Sequence, residues 1–338
     1  MSSNILSHLS KYGYPIIAKC KRTVFSVMFN FFIRLSIYLN RVLSFLGLKL
    51  IRNKKPLFLN LSKDKDLHPV VAFCRGFNQD ILLRVPVRLG RTSRWFDLSK
   101  DSLDPPLVAL NSALKNKIHG DELHIFLMQL FEAHRDLVSP LTAIAAAGLS
   151  ENKGSELSNY PAWSLVLPWE VKDIEHKFHS YPASVKKNRL NNGFRIDSKD
   201  PIRIMEQDRL NSIDSHVKQF TKLLDSIDKN GLLQGKKYGY ISAIILIDGD
   251  DWRWIIGGEG NHRTVVAASL GYKELDVVVE KVVRKEDSKW WPNVYNGLYT
   301  ITQAEKVFDD IFNANPSFVY DQWMHYAIDK IKSPSSRA

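Results

Sequence analysis

Trp254-Ile-Ile-Gly-Gly-Glu-Gly-Asn-His-Arg-Thr-Val-Val-Ala-Ala-Ser-Leu-Gly-Tyr272 is the stretch on which the fold of this chain turns. An apolar run from Tyr240 to Ile247 and a polar turn, Asp248-Gly-Asp-Asp251, come before it. Their order reads as strand, hairpin turn, a second strand over Trp252 to Ile256, and a loop with glycines at 257, 258 and 260. Small and apolar residues at 265, 266, 267, 268 and 270 predict a short helix over Asn261 to Leu270, with Gly271 supplying a left-handed stop.

A glycine loop feeding a helix offers backbone N–H groups and the positive end of the helix dipole, the arrangement that holds phosphate. Gly257, Gly258, Gly260, Asn261 and Thr264 would line such a site. His262 and Arg263 would add side-chain donors, Arg263 as a planar fork matched to phosphate oxygens. The competing reading is a tight strand-to-helix turn that happens to carry a surface arginine.

The stretch resembles the signature of the ParB/sulfiredoxin-like fold, whose members carry Gly-Gly-x-His-Arg, Asp-Gly-His-His-Arg or Gly-Glu-Arg-Arg ahead of an Ala-Ala helix and a Leu-Gly turn. The matching residues are Gly257, Gly258, Glu259, His262, Arg263, Ala267, Ala268, Leu270 and Gly271. A second block, Val217 to Leu233, is similar to the family's helix that ends in a glycine before the first sheet strand. One departure is the spacing, because Gly260 and Asn261 stand between Glu259 and His262. The resemblance covers residues 200–283.

It implies an α+β fold, a small mixed sheet with helices, elaborated by helical N- and C-terminal regions. It also implies a nucleotide (ATP, ADP or CTP) whose phosphates meet the 257–263 loop, with Mg²⁺ held mainly by those phosphates and water. Phosphotransfer would then draw on Arg263, His262 and the loop amides for charge neutralisation, and on an oriented acceptor hydroxyl. In related phosphotransferases the segment before the domain's helix carries substrate-binding and base residues. That makes Asp214 and His216 candidates for taking a hydroxyl proton, which requires an approach of about 3 Å. Glu259 is a candidate for orienting the metal's water or the acceptor, or else a partner for Arg263 or a nearby lysine.

The activity expected on these grounds is transfer from ATP or ADP to a small hydroxylated or sugar-like acceptor. Two other classes stay open. One is a CTP-binding switch or nuclease associated with nucleic acid, although no concentrated basic recognition surface follows residue 283. The other is a non-catalytic, membrane-attached scaffold. Sulfiredoxin chemistry needs a cysteine beside the loop, and that segment has none.

Charge is distributed unevenly along the 338 residues. The net charge is +11, yet residues 1–55 hold ten Lys or Arg and no Asp or Glu, so the remainder is nearly neutral. Within that segment Val24 to Ile51 is strongly apolar but interrupted by Arg34 and Arg41. It predicts a helix lying on an anionic membrane surface, with a core helix or a partner-binding helix as alternatives. Cys20 and Cys74 suggest no disulfide framework.

Between these regions the expected division is 56–159, an accessory part, and 160–332, the main domain with C-terminal helices. Val70–Phe73 and Ile81–Val87 read as strands. Arg84, Arg88, Arg91 and Arg94 form an arginine-rich patch able to grip phosphate, or a set of solvated loop charges. Asp121 to Leu137 predicts an amphipathic helix whose His124 and His134 make no metal pattern. Asn192 to Ile204 reads as loop and strand, Pro168-Trp-Glu170 as a helix start, and Thr302 to Phe312 and Tyr320 to Ile331 as the last two helices.

Overall fold

The computed structural model describes residues 58–332 apart from 65–66, 77–78, 139–140, 152–153, 192 and 236–237. The segment 1–55, read above as membrane-contacting, lies outside the described residues. Among those that are described, no helix is long and apolar enough to cross a membrane.

The fold is α+β, with one small mixed sheet flanked by helical regions. Its strands are β1 (Phe58–Asn60), β2 (Asp80–Pro86), β3 (Gly90–Arg91), β4 (Ile241–Asp248), β5 (Asp251–Ile256) and β6 (Glu274–Arg284), in the spatial order β1-β2-β6-β4-β5-β3. β2 with β6 and β4 with β5 are antiparallel, while β1 with β2, β4 with β6 and β3 with β5 are parallel. The longer helices are α1 (Pro69–Gly76), α2 (Pro105–Lys115), α3 (Gly120–Leu137), α4 (Ile174–Asn191), α5 (Pro201–Asn230), α6 (Asn261–Ser269), α7 (Ile301–Phe312) and α8 (Asp321–Lys332).

The β4–β5 hairpin follows from its turn: Gly249 takes φ +58° at the first central position, where a two-residue hairpin needs a left-handed residue. β4 is apolar along nearly its whole length because both of its faces are covered. Ile241, Ala243, Ile245 and Ile247 pack into a core with α2, α3, α5 and α6, while Leu246 faces a second core built from the segments 143–174 and 291–312. On β5 the same alternation sends Trp254 and Ile256 to the first core and Ile255 to the second. Strands from both sides of the expected 159/160 division share this sheet, and the described residues 58–332 fall in one compact unit.

Three local expectations are corrected. Val70–Phe73 lies in α1, not in a strand: Pro69 opens that helix and the His68 Nδ1 accepts the Val70 N–H at 3.2 Å, outweighing two β-branched valines. Residues 201–204 begin α5, because the Asp200 carboxylate accepts the Ile202 N–H at 3.0 Å and Pro201 occupies the first helical turn. Pro168-Trp-Glu170 opens no helix. α4 starts at Ile174, after Asp173, whose carboxylate accepts the His176 N–H at 2.6 Å.

The arginine-rich patch disperses. Arg84 pairs with Asp276 on β6, and Arg91 is buried, donating to the Ile311 and Phe312 carbonyls at the end of α7. Burial holds the Arg91 guanidinium down to about 10. Trp291 is buried against Trp169 and Phe308, whereas Trp290 is exposed beneath Lys289.

Candidate functional site

β5 delivers the chain into the glycine loop, and there the backbone is satisfied by the protein itself. Gly257 N–H donates to the Ser242 carbonyl at 2.8 Å, Glu259 N–H to Ser242 Oγ at 2.8 Å and Gly258 N–H to Glu280 Oε1 at 3.0 Å. A Cβ on Gly257 would stand 2.6 Å from Ser242 Oγ and 2.8 Å from Glu280 Cδ, so this glycine is there for close approach. The amides of Gly257 and Gly258, expected to line a phosphate cradle, and that of Glu259 are thus engaged from β4 and β6. Ser242 and Glu280 carry no motif that sequence reading could have caught.

Arg263 is also engaged internally. Nη1 donates to the Tyr238 and Gly239 carbonyls at 3.0 and 3.1 Å, and Nη2 to the Tyr240 carbonyl at 3.0 Å. In this geometry the fork of Arg263 straps α6 to the turn before β4. Burial lowers the Arg263 guanidinium, and the charge of the exposed Glu259 opposes that shift. The Thr264 hydroxyl is spent on the Gly260 carbonyl at 3.0 Å.

The first turn of α6 is half-buried. Gly260 caps it at φ +90°, and a Cβ there would stand 2.8 Å from the Ile241 Cα. The first α6 bond runs from Thr264 N–H to the Gly260 carbonyl, leaving the amides of Asn261, His262 and Arg263 without an acceptor inside the helix. Asn261 Oδ1 is buried and accepts no hydrogen bond.

Two imidazoles meet at this turn. His216 on α5 lies with its ring centre 5.6 Å from that of His262, and His262 in turn packs edge-on against Phe220 at 4.7 Å. Burial, then the neighbouring His262 and Arg189, hold His216 down to about 4, with Asp208 opposing and Arg94 adding to the effect. Burial and Arg94 lower His262 as well. Both rings are therefore neutral at pH 7, able to accept a proton.

Asp214 does not join them. Residues 207–219 were expected to precede the helix, yet they lie within α5, where positions 214 and 216 project from opposite sides. Asp214 pairs instead with Lys218 at 2.7 Å and with His124 of α3 at 3.2 Å, and the Lys218 hydrogen bond holds its carboxyl low. In this arrangement the carboxylate expected to accept a proton is a surface ion-pair partner set apart from the two imidazoles.

Arg94, Arg189 and Asp208 complete the surroundings. Arg189 of α4 is paired with Asp208 of α5, both largely enclosed. Arg94 acts electrostatically on His134, His216, His262 and Tyr320, which reach it from α3, α5, α6 and the chain before α8. Sequence reading placed Arg94 in a patch of four; only pairing and burial single it out.

The chain matches no family model, no curated protein and no solved structure. Among the described residues no group of three or more His, Cys, Asp and Glu could hold a metal ion. The chemistry this arrangement can perform is binding of an anion at a helix start, with two neutral imidazoles as proton acceptors and a buried amide oxygen that calls for a donor.

Proposed function

We propose that this protein is a nucleotide-binding phosphotransferase of the ParB/sulfiredoxin-like kind, with the phosphates of ATP, ADP or CTP at the first turn of α6. The observation that carries the reading is the pair of neutral imidazoles, His216 and His262, brought side by side from two helices at a turn whose amides lack intrahelical acceptors. Asn261 Oδ1, buried and unpartnered, is suited to accept a hydrogen bond from a non-reacting hydroxyl of the acceptor. A small hydroxylated acceptor would thus be oriented by one hydroxyl on Asn261, and either His216 or His262 would take the proton of a second, attacking hydroxyl as its oxygen bonds to the terminal phosphorus and the nucleotide's bridging oxygen departs. Mg²⁺ would ride on the nucleotide's phosphates and water, its donors coming from the ligand.

One observation favours a second reading, that of a non-catalytic scaffold. The amides of Gly257 to Glu259 and the Nη atoms of Arg263 are all satisfied internally. A fold that had given up phosphate binding would have this feature. Calorimetric titration of ATP, ADP and CTP with Mg²⁺ into the wild type and His262→Asn separates the two. Binding of one nucleotide, weakened about tenfold or more in the variant, is the expected result. No heat with any of the three leaves the scaffold reading standing and removes the enzyme.

A further inference from the structure

The end of α4, the start of α5 and the chain between them carry side chains for which the α6 turn has no use. Gly193 N–H donates to the Leu190 carbonyl at 3.0 Å and Phe194 N–H to the Arg189 carbonyl at 2.9 Å, so the chain folds back over the last turn of α4. Gly193 takes φ +80° to make that reversal. Lys186 Nζ donates across the gap to the Ser198 carbonyl at 2.7 Å, and the pair of Arg189 with Asp208 clamps the two helices together. Ile196 is buried and pins the connection from inside. Leu190, Phe194 and Ile202, by contrast, are left 60%, 38% and 49% exposed around the same turn.

Charge is concentrated at this turn as well. Residues 186–203 hold six Lys or Arg against two Asp, in a chain that is nearly neutral after residue 55. Lys187 and Lys199 are exposed. Arg195 and Arg203 lie beside Asp197 and Asp200 at 2.6 and 3.8 Å, yet their side chains stay 81% and 76% exposed. We propose that the α4–α5 turn docks on an anionic lipid bilayer, with Leu190, Phe194 and Ile202 entering the boundary between headgroups and acyl chains. Lys187, Arg195, Lys199 and Arg203 meet the headgroup phosphates, their long stems lying along the apolar layer while the charges stay in the polar one. The proposal stands on described residues alone, apart from the α6 reading and from the expectation for residues 1–55. Nucleic acid would use the same cations, but its bases are taken up by aromatic planes, and Leu190 and Ile202 offer none. A second copy of the chain would set these cations against one another, which opposes pairing through this turn.

The test is hydrogen–deuterium exchange of the full chain, read at residues 186–203, with vesicles of phosphatidylcholine alone or mixed with phosphatidylserine. Reading the exchange locally keeps any lipid contact of residues 1–55 out of the result. The mixed vesicles should slow exchange at the turn, and those of phosphatidylcholine alone should slow it far less. Each cation near an anionic leaflet strengthens binding about fivefold, so Lys187→Glu with Lys199→Glu should need about tenfold or more lipid for the same slowing. Leu190→Ser with Phe194→Ser should need about tenfold or more as well, an effect that charge alone does not produce. All four residues are exposed, so both double variants should melt at the wild-type temperature. Slowing unchanged in either folded variant, or equal with the two vesicle types, overturns the proposal. So does slowing produced by single-stranded RNA in place of lipid, or by raising the protein concentration with no lipid present.

Discussion

His216 shows how one side chain ties the site to stability. Unfolded, its imidazole titrates near 6.5; folded, burial among His262, Arg189 and Arg94 holds it at about 4. Between those values the unfolded chain takes up a proton that the folded one refuses. Stability from this residue is therefore complete above pH 6.5 and declines as pH falls toward 4, by at most about 1.4 kcal/mol per unit. Asp104 works in the opposite sense, since burial raises its folded carboxyl, so the His216 contribution must be isolated by difference. Urea midpoints measured at pH 7.5 and 5 should fall further for wild type than for His216→Gln, by roughly 1–2 kcal/mol of stability. Parallel falls would show that the ring is already solvated in the folded state.

At the scale of elements, α6 owes its position to its two flanks. Gly260 and Gly271, both left-handed, begin and end it, and Arg263 ties its first turn to the Tyr238–Tyr240 carbonyls. Arg263→Ala deletes three charge-assisted bonds and should cost about 2 kcal/mol, a fall of some 2–4 °C in Tm, with nucleotide affinity changed far less than in His262→Asn. A variant that keeps its Tm but loses binding would restore Arg263 to the phosphates.

The same element marks what could be read from sequence. Local signals gave the β4–β5 hairpin and α6, because each is encoded within a few residues by periodicity and left-handed glycines. The start of α5 was missed because Asn192 to Ile204 looks irregular until the Asp200-Pro201 cap is recognised, and with it went the placement of Asp214. The fate of the loop amides was beyond reach, since Ser242 and Glu280 engage them from strands 17 and 22 residues away. His262 beside His216 was half legible: both residues were picked out, but only the packing of α5 on α6 brings them together.

On the scale of the whole molecule, the sheet gathers the site from segments spread across most of the described chain. β2 and β3 bring the Thr92–Phe96 turn to the same sheet as β4, β5 and β6, and the helices over β4 carry His134, His216 and His262 toward it. The central claim is that the first turn of α6, with His262 and His216, receives nucleotide phosphate. Imidazole-detected NMR during titration of the full chain with Mg²⁺ and ATP, ADP or CTP tests it most directly. His262 and His216 should shift together with a single Kd while the exposed His176 and His325 stay still, and saturation without movement of either site histidine would contradict the claim.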